Sequence, residues 1–304
     1  MTTILREPGD SIRFIPALAL LSGLALFMAL APTAAAQQPP DFADVIYATA
    51  ADKELALDIY LPDNVDSPPL VVQVHGGAWR ALTKHSGVPL HLLQDGFAVA
   101  SIEFHMSTEA QFPVMVHDIK GAIRWLRTHA DDYGYNAERI AITGQSSGAH
   151  LATLVGVTNG HRELEGDVGG NNAESSDVQA IIAYYGAFDL TTILDQSTPF
   201  GLALREPALR ALLGATPEEN PDIARLASPV YHVDQNDPPL LLFHGDRDPQ
   251  MPVNQSLQLE GAYLDLGLDV KFDAVHGAAH GGPEFYDETH LPPVIEFLDR
   301  TIKN

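Results

Sequence analysis

Arg139-Ile140-Ala141-Ile142-Thr143-Gly144-Gln145-Ser146-Ser147-Gly148-Ala149-His150-Leu151-Ala152 is the stretch whose reading decides the fold. Ile140 to Thr143 suit a buried strand. Gly144 to Gly148 spell G-x-S-x-G, the pattern that turns such a strand sharply into a helix. That turn forces strained backbone angles on the serine and leaves no room for a Cβ beside it, so glycine is needed two residues to either side. Ser146 is therefore a candidate nucleophile. The plain alternative is a glycine-rich turn with an ordinary serine, and the rest of the chain must decide between the two.

Composition sets limits first. The chain has 304 residues, 45% hydrophobic and 19% charged, which fits one large α/β domain better than a disordered or fibrous protein. Seventeen Lys and Arg against 40 Asp and Glu give a net charge of -23, so nucleic acid would be repelled and no nucleic-acid partner is expected. Cysteine is absent, which removes disulfides, thiolate nucleophiles and Cys-ligated zinc together.

Near the N-terminus, Arg6 and Arg13 precede an apolar run from Phe14 to Leu30, and Pro32-Thr33-Ala34-Ala35-Ala36 offers an A-x-A site before Gln37. These features predict a signal peptide over residues 1–36, a secreted or periplasmic product starting at Gln37, and no stable membrane association after cleavage. The competing reading is a retained membrane anchor. The segment carries two bases (Arg6, Arg13) and two acids (Glu7, Asp10), so its loss would leave the charge at -23.

Working outward from the elbow, Asp44 to Ala48 and Leu55 to Leu61 read as an antiparallel hairpin, the second strand alternating like a half-buried edge. Leu70 to Val74 reads as a strand buried on both faces, and it ends at His75-Gly76-Gly77-Ala78-Trp79. Small residues there let amides turn toward a substrate oxygen, so Gly77, Ala78 and the Ser147 amide are the expected oxyanion-hole donors. Phe97 to Ile102 is another strand, and Val116, Ile119, Ile123 and Leu126 recur at helical spacing. Val178 to Tyr185 is the next strand. Phe188 to His232 then breaks the strand-helix alternation with short helices, one opened by the capping box Thr216-Pro217-Glu218-Glu219. That stretch, about 188–232, is expected to be a small cap over the pocket of a single domain, 37–304.

Leu240 to Phe243 delivers His244-Gly245-Asp246-Arg247-Asp248-Pro249, and Val270 to Val275 delivers His276-Gly277-Ala278-Ala279-His280-Gly281. A serine hydrolase of this plan needs an acid and then a histidine at strand ends, in the order serine, acid, histidine, and both arrive in that order. The acid would orient the imidazole, which takes the serine proton and later returns it to the leaving group. His150 beside the elbow reads as a packing or hydrogen-bonding residue.

These motifs together resemble the secreted esterases and lipases of the α/β-hydrolase superfamily. The chain looks closest to the feruloyl and acetyl-xylan esterase-like group, related to the hormone-sensitive-lipase branch. The resemblance runs from about Leu55 to the C-terminus through L-D-I-Y-L-P, H-G-G-A-W, G-Q-S-S-G-A-H-L, Y-G-A-F-D-L, A-S-P-V, H-G-D-R-D-P-Q-M-P-V-N-Q-S and G-A-A-H-G. It implies an α/β-hydrolase fold with a mostly parallel sheet, helices on both faces and a small cap insertion. It puts the acid on Asp248, with Asp246 as rival, and the histidine on His280, with His276 as rival. Ala78 departs from a frequent third glycine, and Phe104-His105 stands where an aromatic-arginine pair is usual. No metal or organic cofactor is implied. The expected activity is cleavage of neutral esters of short acyl groups, or of aryl acyl groups if Trp79, Phe104 and Phe188 line the pocket. The substrate would be a small-molecule or carbohydrate ester, including acetyl or feruloyl groups on plant polysaccharide. Two other readings are an arylformamidase-like amide hydrolase and a catalytically silent binding protein on the same fold.

Overall fold

Parallel strands buried on both faces need apolar side chains pointing both ways, and the runs noted above supply them. The computed structural model describes residues 38–303, which form one unit; the expected signal peptide lies outside them. The strands are β1 (Phe42–Ala50), β2 (Lys53–Tyr60), β3 (Pro69–Val74), β4 (Ala98–Ile102), β5 (Asn136–Gln145), β6 (Ala180–Tyr184), β7 (Leu240–Gly245) and β8 (Val270–Val275). Between and after them run α1 (Val114–Thr128), α2 (Ala130–Tyr133), α3 (Ser147–Gly156), α4 (Arg162–Glu165), α5 (Ile193–Gln196), α6 (Pro199–Leu213), α7 (Pro221–Leu226), α8 (Asn254–Asp265) and α9 (Leu291–Leu298).

The strands make a single sheet in the order β1-β2-β4-β3-β5-β6-β7-β8. β2 pairs antiparallel with both β1 and β4, and every pairing from β4 to β8 is parallel. Alternation along each strand splits the core in two. Leu70, Val72, Ile140, Ile142, Ile181 and Leu242 pack on one face with Ile119 and Ile123 of α1 and Leu151 and Leu154 of α3. Val71, Ala141, Ile182, Leu241 and Phe243 pack on the other with Val294, Phe297 and Leu298 of α9. Each fully buried aliphatic contributes roughly 1.5–3 kcal/mol of transfer free energy, so the sheet forms a rigid base for what stands on its rim.

Three expectations change. β2 is not an edge: Leu55 to Tyr60 are all buried, because β1 covers its outer side. Its Asp58 is fully buried and held 2.7 Å from Lys84 Nζ, which also reaches Asp44. The Thr216 capping box forms, with Thr216 and Glu219 exchanging main-chain to side-chain hydrogen bonds, but it closes a turn and the helix begins only at Pro221. The insertion is not built only of short helices, since α6 spans 15 residues.

Candidate active site

All of the parallel strands end at the same rim of the sheet, so the loops after β3, β5, β7 and β8 converge there. β5 breaks at Ser146, whose φ of 55° and ψ of -123° are the strained angles expected of the elbow. The Ser146 amide donates to the Tyr184 carbonyl of β6, extending the ladder one residue into the turn. The flanking glycines are required by close approach. A Cβ on Gly144 would strike the Gly148 carbonyl, and one on Gly148 would strike the carbonyls of Val74 and His75.

The turn after β5 therefore points Ser146 at the loop after β8. Ser146 Oγ lies 2.8 Å from His280 Nε2, and His280 Nδ1 lies 2.6 Å from Asp248 Oδ2. The other carboxylate oxygen of Asp248 accepts the amides of Gln250 and Met251, each at 2.8 Å. His244 Nε2 stands 3.4 Å from Oδ2 while also 3.0 Å from the Met251 carbonyl, and its Nδ1 meets Ser256 Oγ at 2.8 Å. Burial pushes the Asp248 carboxyl up, but hydrogen bonds from His244 and His280, the His280 charge and the Met251 amide outweigh it. The net effect holds Asp248 well below the usual carboxylate range. An ionised acid fixes Nδ1 as the protonated nitrogen of His280, leaving Nε2 to accept the Ser146 proton.

Asp246 and His276 stand apart from this group. They pair with each other at 2.7 Å on the surface, with the His276 side chain 88% exposed. Neither approaches Ser146, so the geometry separates the two acid-histidine pairs that the sequence left as rivals.

On the other side of Ser146, Gly77, Ala78 and Trp79 all have positive φ (107°, 54° and 60°). This turn is pinned by hydrogen bonds from the Arg80 amide to the Gly77 carbonyl and from the Ser107 amide to the Trp79 carbonyl. Among the described residues no protein group accepts the amides of Gly77, Ala78 or Ser147. Ser147 opens α3, where such free amides concentrate positive potential.

Two spaces share Ser146, Ala78, Gln250 and His280. One is a small cavity of about 50 Å³, lined further by Trp79, Leu204, Arg205, Ala208 and Met251. The other is an open cleft of about 500 Å³ along Gly76, Gly77, Arg80, Leu82, Gln145 and Tyr185. Trp79 lines the small cavity. Phe104 and Phe188 do not: Phe104 is buried behind the turn, stacked on His75 at 4.6 Å, and Phe188 is fully buried. Both serve the apolar core beneath the site.

The residues that sequence reasoning missed fall into two kinds. His244 opens the H-G-D-R-D string at a strand end, a position that could have marked it. Leu204, Arg205 and Ala208 sit in α6, and no local pattern announces that this helix lies over the serine.

The strand order, the strained serine at the end of β5 and its hydrogen-bonded histidine and acid define a protein of the α/β-hydrolase fold. Residues 57–263 match the BD-FAE family, and the chain belongs to that family. A carbohydrate esterase from gut microbiota, in truncated form, superposes with a TM-score of 0.79 at 31% identity, covering 86% of this chain and 99% of that one. A bifunctional GH43-CE protein of Bacteroides eggerthii gives a TM-score of 0.77 at 36% identity over 85% of this chain and 35% of its own. The esterase LipQ of Mycobacterium tuberculosis is 33% identical over 202 residues, 66% of this chain and 46% of LipQ. The chain thus spans about half the length of that curated relative.

Proposed function

We propose that this chain is a carboxylic ester hydrolase that removes short acyl groups from larger alcohols through an acyl-enzyme on Ser146. The observation that carries the reading is the unbroken hydrogen-bonded chain Ser146–His280–Asp248 at the junction of a small cavity and a wide cleft. His280 Nε2 takes the Ser146 proton as Oγ bonds to the ester carbon. The oxygen that gains negative charge is received by the amides of Gly77, Ala78 and Ser147, donors fixed before the reaction begins. The ester C–O bond then breaks, and the imidazolium returns its proton to the departing alkoxide. Water, deprotonated by the same nitrogen, then attacks the acyl-enzyme; the acyl–Oγ bond breaks, the imidazolium returns its proton to Ser146 Oγ, and the acid is released. Asp248 stays ionised and stabilises the imidazolium throughout.

The cavity of about 50 Å³ suits an acyl group of two to four carbons, and the open cleft suits a bulky alcohol. With Phe104 and Phe188 in the core, an aryl acyl group such as feruloyl would find, in the small cavity, Trp79 alone of the large aromatic side chains, which favours acetyl. The carbohydrate esterase from gut microbiota, 31% identical to this chain, supports a sugar as the alcohol. Export of a product beginning near Gln37 is part of the same proposal, and mass analysis of the N-terminus after expression in a secreting host tests it.

The activity is tested by fluorophosphonate labelling of Ser146, followed by turnover on p-nitrophenyl esters, acetylated xylan, methyl ferulate and N-formylkynurenine. Labelling with fastest turnover on acetyl esters supports the reading. Fastest turnover on N-formylkynurenine would replace it with amide hydrolysis, and no labelling at all would leave a silent binding protein.

A further inference from the structure

Among the described residues, the buried lysines and arginines have carboxylate partners, with one exception. Lys84 is held by Asp44 and Asp58, and Lys120 and Arg124 share Glu165. Arg205 is equally buried, 5% exposed, yet has no carboxylate within ion-pair distance among the described residues. Its one hydrogen bond to the protein runs from Nη1 to Ser197 Oγ at 2.6 Å, so among the described residues no acceptor takes Nε or Nη2. A guanidinium keeps its charge in such a place, and burying it costs several kcal/mol unless an anion or good acceptors offset it. A single serine hydroxyl is a poor offset for a side chain that presents five donors in a planar fork.

Its place in the fold says what would complete it. Arg205 projects from α6 into the wall of the small cavity that also holds Ser146, Ser147 and His280. Burial pushes the guanidinium down to about 10, partly countered by the Asp248 charge, so it remains cationic at neutral pH. The remaining side chains of that wall, Trp79, Leu204, Ala208, Gln250 and Met251, offer it no negative charge.

We propose that Arg205 is a specificity residue that receives a carboxylate on the acyl arm of the substrate, making short hemiesters of dicarboxylic acids preferred over their neutral counterparts. This rests on the ester-hydrolase reading above. It also reverses the preference for neutral substrates that net charge alone would give. The charge of -23 acts from the surface and is screened over roughly 10 Å at 0.1 M salt, whereas a guanidinium lining the small cavity acts at hydrogen-bond distance, well inside that screening length. The global field slows encounter, and the local cation governs binding once the substrate is in place.

The test compares monomethyl malonate, succinate and glutarate with the corresponding methyl ester amides, which match them in shape but carry no charge. For the acyl length that reaches Arg205, kcat/KM for the hemiester is expected to exceed that for the amide by about tenfold to a hundredfold. Arg205→Met should collapse this ratio to one or below, and Arg205→Lys, which keeps the charge but loses the fork, should give an intermediate ratio. Because each protein is judged by its own ratio, a general loss of rate does not affect the result. If Arg205→Met fails to fold, the Arg205→Lys ratio stands in its place. A wild-type ratio at or below one at every length overturns the inference, and so does a ratio that both variants leave unchanged. If the wild type hydrolyses p-nitrophenyl acetate but shows no such ratio, this inference alone fails; if it hydrolyses neither ester class, the underlying reading fails.

Discussion

Trp79 Nε1 donates a 3.0 Å hydrogen bond to Nδ1 of His150, joining the turn after β3 to the helix that Ser147 begins. The other nitrogen of the ring, Nε2, donates to the Ala227 carbonyl at 2.7 Å. One imidazole thus ties together the turn after β3, the elbow helix and the inserted segment. Burial lowers its pKa to about 4, only partly offset by the Ala227 hydrogen bond, so the ring is neutral in the folded protein.

Stability should therefore fall in mild acid. The unfolded chain protonates His150 at about 6.5 while the folded chain resists until about 4. The contribution of the neutral ring is fully present above pH 6.5 and is lost as pH falls from 6.5 toward 4, on the order of 3 kcal/mol for this group. Urea unfolding at pH 7.5 and pH 5 measures it. His150→Gln, which can still accept from Trp79 and donate to Ala227, should flatten the dependence; an equally steep dependence in that variant would refute the assignment.

Ser146→Ala and His280→Ala should each lower kcat by about six decades, and Asp248→Asn by about four to five, without loss of folding. His276→Ala is the internal control and should stay within about twofold of wild type, because its Asp246 pair lies on the surface. Steady-state kinetics with p-nitrophenyl acetate decides the matter, and a dead His276→Ala alongside an active His280→Ala would reassign the base.

The strands and the elbow were legible because they depend on local patterns. Apolar runs of strand length, a glycine on each side of Ser146 and acid and histidine loops at strand ends can all be read without knowing what packs where. The choice of Asp248 over Asp246 was legible only through resemblance, since two acid-histidine pairs stand in the same two loops. The pocket was not legible. Phe104 and Phe188 looked suitable by chemistry, but which aromatic faces a cavity depends on how loops cross the sheet. The same holds for Arg205, which in sequence is an ordinary charged residue of a helix.

Gly77→Ala should reduce kcat by about two to three decades, comparable to losing one oxyanion donor. At φ 107° a Cβ is strained, and it would also strike the Ala81 carbonyl, so the turn must shift. KM should change much less than kcat, because the donors act on charge that develops only in the transition state. A parallel rise in KM alone would point to simple loss of binding.

Met251→Ala should move the preferred acyl chain from two carbons to four or more, by enlarging a cavity that is now about 50 Å³. Its amide would still bind Asp248, so the acid keeps its orientation. The cost in stability should be about 2–5 kcal/mol, as for other buried methionine truncations. A chain-length series of p-nitrophenyl esters reads the shift, and an unchanged optimum would show that another wall sets the limit.

The insertion between β6 and β7 divides the labour of this protein along its gene. Ser146, Asp248 and His280 stand after strand ends that the sheet holds in register, whereas Leu204, Arg205 and Ala208 come from α6 alone. A change in that one helix can reshape the cavity while Ser146, Asp248 and His280 stay in place. Selectivity here can drift, or be grafted from a relative, at a cost confined to about 45 residues, roughly the stretch from Phe188 to His232.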